Sequence, residues 1–328
     1  MKSLTKLLPI ALFSIALFSC SNDDNTNNLG NNKTSITITD FVRTNENYSL
    51  LASALETTGL DTLLSDPNTQ FTVFAPNNES LDAFLKAKGF SNGLTDIDTD
   101  EEIALVKNIL ENHVIAGSEF KANAIINTAP NYIKNAATGP KDLAGGDTNL
   151  SMLYTVVEGK VMINGSTEVT VPNAFDANNG IIHAVDKVID LPLISTFATA
   201  DARLSKLVTA LTDANLVTTV DELDPATVFA PTNDAFGKLA ATPTGGDLSN
   251  VLTYHVIADV NVVSTDVIGI IGQETPATVQ GQNIDIIKGP AIKGKGNTES
   301  SGLVILDVQA INGVVHVIDT LLLPTSEM

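Results

Sequence analysis

The chain contains no tryptophan, a single cysteine at position 20 and four histidines, and aromatic residues make up only 5% of it. Each scarcity removes a class of chemistry. Without tryptophan, sugar recognition by exposed stacking platforms loses its material, whereas recognition by hydrogen bonds does not. One cysteine cannot close a disulfide within the chain, so stability rests on burial. Basic residues are also few, 18 against 38 acidic, which leaves a formal charge of −20. That field repels phosphate backbones and anionic headgroups, so nucleic acid is set aside as a partner. Hydrophobic residues at 43% and charged residues at 17% suit well-buried cores, and about 290 residues beyond the N-terminal region divide into two domains of ordinary size.

What is present is a repeat. Thr-Val-Phe-Ala-Pro occurs at 72–76 and again at 227–231, an offset of 155 positions. His113-Val114-Ile115-Ala116 returns as His255-Val256-Ile257-Ala258, offset by 142. Asn179-Gly180-Ile181-Ile182-His183-Ala184-Val185-Asp186 returns as Asn312-Gly313-Val314-Val315-His316-Val317-Ile318-Asp319, offset by 133. The first copy therefore carries about 13 and then about 9 extra residues between aligned blocks, the kind of length change that loops of a shared fold accept.

With these three motifs in this order, the chain resembles the fasciclin-type adhesion domain, twice over, across roughly residues 36–324. The resemblance implies an α+β fold for each copy, a compact β-sandwich-like or wedge-shaped sheet with packed helices, and it implies a scaffold more than a chemistry. The motif residues Phe74, Ala75, Pro76, His113, His183 and Asp186, with Phe229, Ala230, Pro231, His255, His316 and Asp319, are then expected to be structural. In some animal members a Tyr-His segment is associated with adhesion. Tyr254-His255 matches that segment, but the first copy has Asn112-His113.

The N-terminus reads as an address. Lys2 and Lys6 precede an apolar run from Leu7 to Phe18 that ends in Ser19-Cys20, the pattern of a secretory signal with a lipoprotein-type cleavage box. The run is too short for a membrane-spanning helix, which needs about 20 apolar residues. We expect a signal peptide over 1–19, lipidation of Cys20 and a flexible tether over 20–35, rich in Asn, Thr and Gly. Domains follow at 36–192 and 193–328. Asp23 and Asp24 just after the cysteine resemble the surface-export signals of Bacteroidetes-type lipoproteins, although a plain polar spacer reads the same way. The expected location is the outer membrane at the cell surface, with a periplasm-facing orientation as the alternative.

Local patterns support an α+β reading. Leu50, Leu51, Ala54, Leu55 and Leu60 fall at helical spacing, as do Leu204, Leu207, Val208, Leu211 and Leu216. Thr99 and Glu102 form a capping box that opens a helix through Ile103, Val106, Ile109 and Leu110. The segments Thr72–Phe74, Leu153–Val157, Lys160–Ile163, Glu168–Val171, Ile284–Ile287 and Leu303–Val308 read as strands. Helices early and strands late in each unit argue against an alternating parallel sheet. The junction Pro192-Leu193-Ile194-Ser195-Thr196 is short and apolar, so the interdomain angle is expected to be restrained.

Four constellations could carry chemistry. The histidines pair within each copy, and Asp186 or Asp319 could complete a metal set, but each histidine lies in an apolar run that favours a core imidazole. Asp96 to Glu102 mimics the start of a Ca²⁺ loop, yet Glu101 stands where the turn needs glycine, and the acids also suit the positive end of the following helix. Gly289 to Gly296 falls short of a phosphate loop because no hydroxyl residue follows Lys295. It reads as a flexible hairpin where Lys288, Lys293 and Lys295 make a local positive spot that could touch a polysaccharide. No Gly-x-Ser-x-Gly or His-Glu-x-x-His occurs. The expectation is a membrane-anchored adhesion protein without cofactor or metal that contacts extracellular polysaccharide or protein. Its alternatives are a structural envelope protein or an extracellular hydrolase.

Overall fold

The computed structural model describes residues 34–238, 245–269, 275–287 and 291–325, and these described residues form one compact unit. Cys20 and Lys288 lie outside the described residues. The first copy runs α1 (Ile38–Thr44), α2 (Ser49–Thr58), α3 (Leu60–Leu63), β1 (Phe71–Pro76), α4 (Asn78–Ala87), α5 (Asp100–Glu111), β2 (Val114–Ala116), α6 (Ala122–Thr128), β3 (Asn131–Thr138), β4 (Asn149–Val157), β5 (Lys160–Ile163), β6 (Thr167–Ala177) and β7 (Gly180–Val185). The second runs α7 (Ile194–Ala200), α8 (Ser205–Asp213), α9 (Val217–Glu222), β8 (Ala226–Pro231), α10 (Asn233–Gly237), α11 (Gly245–Thr253), β9 (Val256–Ala258), α12 (Ser264–Gly269), β10 (Asp285–Ile287), β11 (Ala291–Lys293), β12 (Ser301–Ala310) and β13 (Gly313–Ile318).

Each copy builds one sheet, ordered β2-β1-β7-β6-β5-β4-β3 in the first and β10-β11-β12-β13-β8-β9 in the second. All pairings are antiparallel except one per copy, β1 with β7 and β8 with β13. Of the four strands in these parallel pairs, β1, β8 and β13 are buried along their whole length and β7 at all but one position, so they read as mainly apolar runs instead of alternating ones. Helices cover one face, where Leu51, Leu55, Val106, Ile109 and Leu110 meet Phe71, Val73 and Ile182. The opposite face of the first sheet closes over Phe74, Ile115, Met152, Tyr154 and Ile163.

The α5 capping box forms as its sequence indicates, with the Thr99 side chain on the Glu102 N–H and the Glu102 carboxylate on the Thr99 N–H. The apolar spacing from Leu204 to Leu216 does not make one helix. α8 stops at Asp213, Asn215 takes a left-handed φ of 55°, and a new helix starts at Val217. Asparagine tolerates that conformation better than most residues, which the apolar period alone does not reveal.

The Asn-Gly pair that opens β7 and β13 has a steric cause. Gly180 and Gly313 hold φ of 148° and 142°, and a Cβ at either would lie 2.0 Å from the carbonyl oxygen of Phe71 or Ala226. The neighbouring strand can approach only where no side chain exists. The preceding asparagine ties the end of the helix layer to the same point. Asn179 takes the Ile38 N–H at 2.9 Å and donates to Leu64 O and Asp66 O. Asn312 takes the Ile194 N–H at 2.9 Å and donates to Val220 O and Asp221 O.

The later of the first copy's two insertions does not hang in solvent. In the second copy the turn Thr278–Gln282 closes tightly, with the Thr278 N–H on Gln282 O. In the first copy the β3–β4 hairpin extends through residues 139–148 and lies against the second copy. Tyr132 OH donates to Asp201 at 2.9 Å, and Lys134 Nζ donates to Asp307 O at 2.7 Å. Ser151 Oγ accepts the Gln309 N–H at 2.9 Å, Pro140 O accepts from Asn261 Nδ2, and Asp266 accepts the Leu143 N–H. Leu153 and Tyr132 also pack into the apolar core of the second copy. The junction itself is built in, since Pro192 O accepts the Ile311 N–H and Ser195 Oγ donates to Asp221 at 2.7 Å.

Two measurements follow from this packing. Gly313→Ala is expected to cost more than about 3 kcal/mol in urea unfolding, whereas Gly89→Ala, also at positive φ but in open space, should cost about 1 kcal/mol. Small-angle scattering of the two-domain unit should fit a single interdomain distance, and the double substitution Tyr132→Phe with Lys134→Met should broaden it. A broad distribution in the unsubstituted protein would contradict a clasp formed by the β3–β4 hairpin on the second copy.

Candidate functional site

The four histidines occupy two equivalent positions per copy. His113 and His255 follow the ends of α5 and α11. Their Nδ1–H groups donate to the carbonyl one turn back, Ile109 O at 2.8 Å and Val251 O at 2.7 Å. Their Nε2 atoms accept the N–H of Ile189 at 2.8 Å and of Leu322 at 2.9 Å. His183 and His316 lie on β7 and β13 with the opposite tautomer. Nδ1 accepts from the backbone of Asn173 or Asp307, and Nε2–H donates to Phe120 O or Val262 O, both at 2.8 Å. These tautomers follow from the partners on each side.

All four rings are at most 3% exposed, and every ring nitrogen is occupied by a backbone group. Neither a metal nor a substrate proton has a free nitrogen to meet. Among the described residues no group of three His, Cys, Asp or Glu could hold a metal. Burial pushes His113 and His255 down to about 4 and also lowers His183 and His316.

The remaining motif residues surround this frame. Phe74 stacks on His183 and Phe229 on His316 at centroid distances of 5.4 and 5.8 Å. Ala75 and Pro76 pair in register with Ala184 and Val185, as Ala230 and Pro231 do with Val317 and Ile318. Asp186 and Asp319 take the N–H of Glu168 at 2.7 Å and of Gly302 at 2.9 Å. The bulged residues opposite the strand histidines, Asn173 and Asp307, hold left-handed φ of 52° and 57°. Their side chains accept the N–H groups that open α6 and α12, at Ala122 and Ser264.

Several residues that offered themselves as possible contacts are engaged inside the fold. Tyr254 is fully buried and His255 is 2% exposed, so neither is open to a partner. The Tyr254 hydroxyl donates to Asn283 O and receives the Lys295 N–H. In the first copy Asn112 does related work by other means, donating to Ile189 O and Asp190 O. The segment after Lys293 is not a free loop. A Cβ at Gly294 would meet the Leu323 backbone at 2.8 Å, and one at Gly296 would meet Pro324 O at 2.3 Å. Lys295 Nζ pairs with Asp285 at 2.6 Å, and Lys293 stands opposite Asp285 in the β10–β11 register, so the positive spot is partly neutralised. The Ca²⁺-loop mimic is likewise engaged, with Asp96 on the N–H and side chain of Asn92 and Glu102 in its cap.

What sequence reading misses is a cleft of about 670 Å³ where the two copies meet. One wall is the β5–β6 turn with neighbouring parts of β4 and β6, and the other is α7. Nothing in the repeat signals it, because it is formed from segments about 30 residues apart that belong to different copies.

With this geometry described, comparison with known proteins is informative. The Fasciclin domain family model matches residues 46–192 and 202–324. The chain belongs to the Fasciclin domain family. A Synechocystis relative, "Uncharacterized protein sll1735", is 37% identical over 142 residues, 40% of this chain and 98% of that protein. The cell surface glycolipoprotein MPB83 of Mycobacterium bovis is 34% identical over 152 residues, 41% of this chain and 61% of its own length. The transforming growth factor-beta-induced protein ig-h3 of Sus scrofa is 28% identical over 279 residues, 81% of this chain and 35% of that protein. The solved FAS1 domain pair from the insect cell adhesion molecule fasciclin I aligns over 87% of this chain and 95% of its own, at 16% identity and a TM-score of 0.47.

The histidine frame sets a pH dependence. Its imidazoles are neutral in the fold, while in the unfolded chain they take up protons from about pH 6.5 downward, so stability is fully present above that value and falls towards pH 4. At pH 5, His113 and His255 should each withdraw about 2 kcal/mol, read as a lower urea midpoint than at pH 7. An unchanged midpoint would contradict the assignment.

Proposed function

We propose that this protein is a non-enzymatic adhesion or binding protein of the cell surface, attached through lipid on Cys20 and a tether reaching to residue 35. It presents domains 36–192 and 193–328 as one body at the outer membrane and engages an extracellular polysaccharide or protein. The observation that carries this reading is the family match in both copies, in which the motif side chains are consumed by the frame. With every histidine nitrogen engaged by backbone, recognition falls to the outer surface and to the junction between copies.

The name of the mycobacterial relative, a cell surface glycolipoprotein, supports both surface display and a lipid anchor. No helix among the described residues is long and apolar enough to cross a membrane, which accords with attachment through the N-terminal region. A surplus of acidic residues favours partners that are not strongly anionic, and two modules on one tether raise avidity wherever a ligand repeats.

Cells lacking the protein should attach less well to polysaccharide-coated surfaces or to other cells, and added soluble residues 34–328 should compete with the wild-type strain. Cys20→Ser should move the protein out of the membrane fraction and reduce attachment alike. Attachment unaffected by deletion on every surface would overturn the adhesion reading.

A further inference from the structure

The helix layers of the two copies align without a gap, from Ile38 to Leu64 in the first and from Ile194 to Val220 in the second, and the left-handed turns at Gly59 and Asn215 coincide. Beneath each layer, against the central strands and beside the helix-end histidine, lies the same apolar cavity. It measures about 10 Å³ in the first copy and about 30 Å³ in the second. Two lining side chains are smaller in the larger one, where Ala198 stands for Val42 and Val220 for Leu64. All four are buried, so the second core carries space that the first has filled.

The rim differs in the same direction. In the first copy Arg43 of α1 bridges the layer, pairing with Glu56 of α2 at 3.1 Å and with Asp61 of α3 at 2.9 Å. The equivalent residues of the second copy are Thr199, Thr212 and Val217, and no ion pair can form among them. Leu211 and Val217 line the larger cavity and are only half-buried, so it reaches the surface between α8 and α9. Its polar lining side chains are Ser195 and His255. Ser195 Oγ is committed to Asp221, and both ring nitrogens of His255 are held by backbone. No side chain is left to hydrogen-bond a guest, which restricts the guest to hydrocarbon.

We propose that the second copy binds the end of a linear alkyl chain in this cavity. The void takes the last one or two carbons, about the volume of one water in the liquid, whereas an aromatic ring needs a cavity of about 150 Å³. The terminal methyl sits between Ala198 and Val220, the next methylenes lie along Leu211 and Val217, and the polar head of the amphiphile stays in water. The first copy, with a smaller void under the Arg43 bridge, does not bind. This site goes beyond the adhesion reading and does not depend on it, since it lies inside one domain and takes a ligand of a different class.

A soluble piece spanning residues 34–328 holds both cores and the contacts between copies, so the test uses it without detergent, with ¹³C-labelled Ile, Leu and Val methyl groups. It is titrated with linear 1-alkanols from butanol to decanol, with cyclohexanol and benzyl alcohol as wide counterparts and with phosphatidylcholine vesicles as a bilayer source of the same chains. The linear series is expected to shift the methyls of Leu211, Val217 and Val220 and to leave those of Leu55, Leu64 and Val73 in place, with affinity rising about fourfold per methylene among the shorter members. Shifts with free alkanols assign a dissolved amphiphile, shifts with vesicles alone assign a bilayer chain, and either supports the site. Ala198→Val with Val220→Leu installs the side chains of the first copy and should weaken binding at least tenfold while raising the melting temperature. Thr199→Arg with Val217→Asp rebuilds the bridge over an unfilled void, should slow association several-fold, and serves if the first variant misfolds. The proposal is overturned if neither alkanols nor vesicles move these methyls, if the cyclic alcohols bind as tightly, if the first copy responds equally, or if correctly folded variants bind like the parent.

Discussion

Each domain is organised around one close approach, the parallel contact of the Thr-Val-Phe-Ala-Pro strand with the strand that closes its copy. Parallel neighbours cannot be joined by a tight turn, so everything between β1 and β7 is in effect one long crossover that includes the helices, the hairpins and β2. The contact is tight enough that Gly180 and Gly313 leave no room for a Cβ. It is stabilised at both ends by asparagine and aspartate side chains that take backbone N–H groups. The strand histidines lie on this contact and reach out to the loop before α6 or α12. The helix-end histidines reach the segment just beyond the closing strand. Two neutral rings in each copy thus connect the beginning, middle and end of its crossover, which explains why motifs so far apart in sequence recur as a set.

That arrangement also explains which parts could be read from sequence. Strands such as β5 and the capped helix α5 follow from local patterning, and the apolar setting of His316 already indicated a core ring. The repeat gave the domain count without reference to secondary structure. Legibility ended where a long-range partner decides the outcome. Nothing in the sequence around Tyr254 shows that its hydroxyl joins Asn283 and Lys295 inside the fold. Lys295 looks like a free cation in a glycine-rich loop, yet those glycines let that loop lie directly on Leu323 and Pro324. Neither distinction is carried by residue type, because both depend on what the fold brings opposite.

Comparing the copies shows where they have diverged. The buried frame is nearly invariant between them in geometry, down to the left-handed bulges at Asn173 and Asp307. Differences lie in the about 13 extra residues of the first copy between β1 and His113, at Asn112 against Tyr254, in the long β3–β4 hairpin, and in the turns that face the junction. A free-standing module would have little use for a hairpin whose side chains, Tyr132, Lys134 and Ser151, end on another domain. The added length is therefore better understood as a feature of the pair than as a loop insertion in one copy.

The same reasoning bears on where binding can reside. A frame whose polar groups are all satisfied is a poor place for a ligand, since any new contact must first break an existing hydrogen bond. At the surface where the copies meet, by contrast, the hydroxyls of Thr155, Ser166 and Thr199 line a cleft. Duplication followed by rigid association creates such a place without altering either core, because a concave surface arises between two convex bodies held at a fixed angle. In this protein the β3–β4 hairpin holds the angle, and the angle makes the cleft, so the cleft depends on a segment that serves the pair and not the single domain.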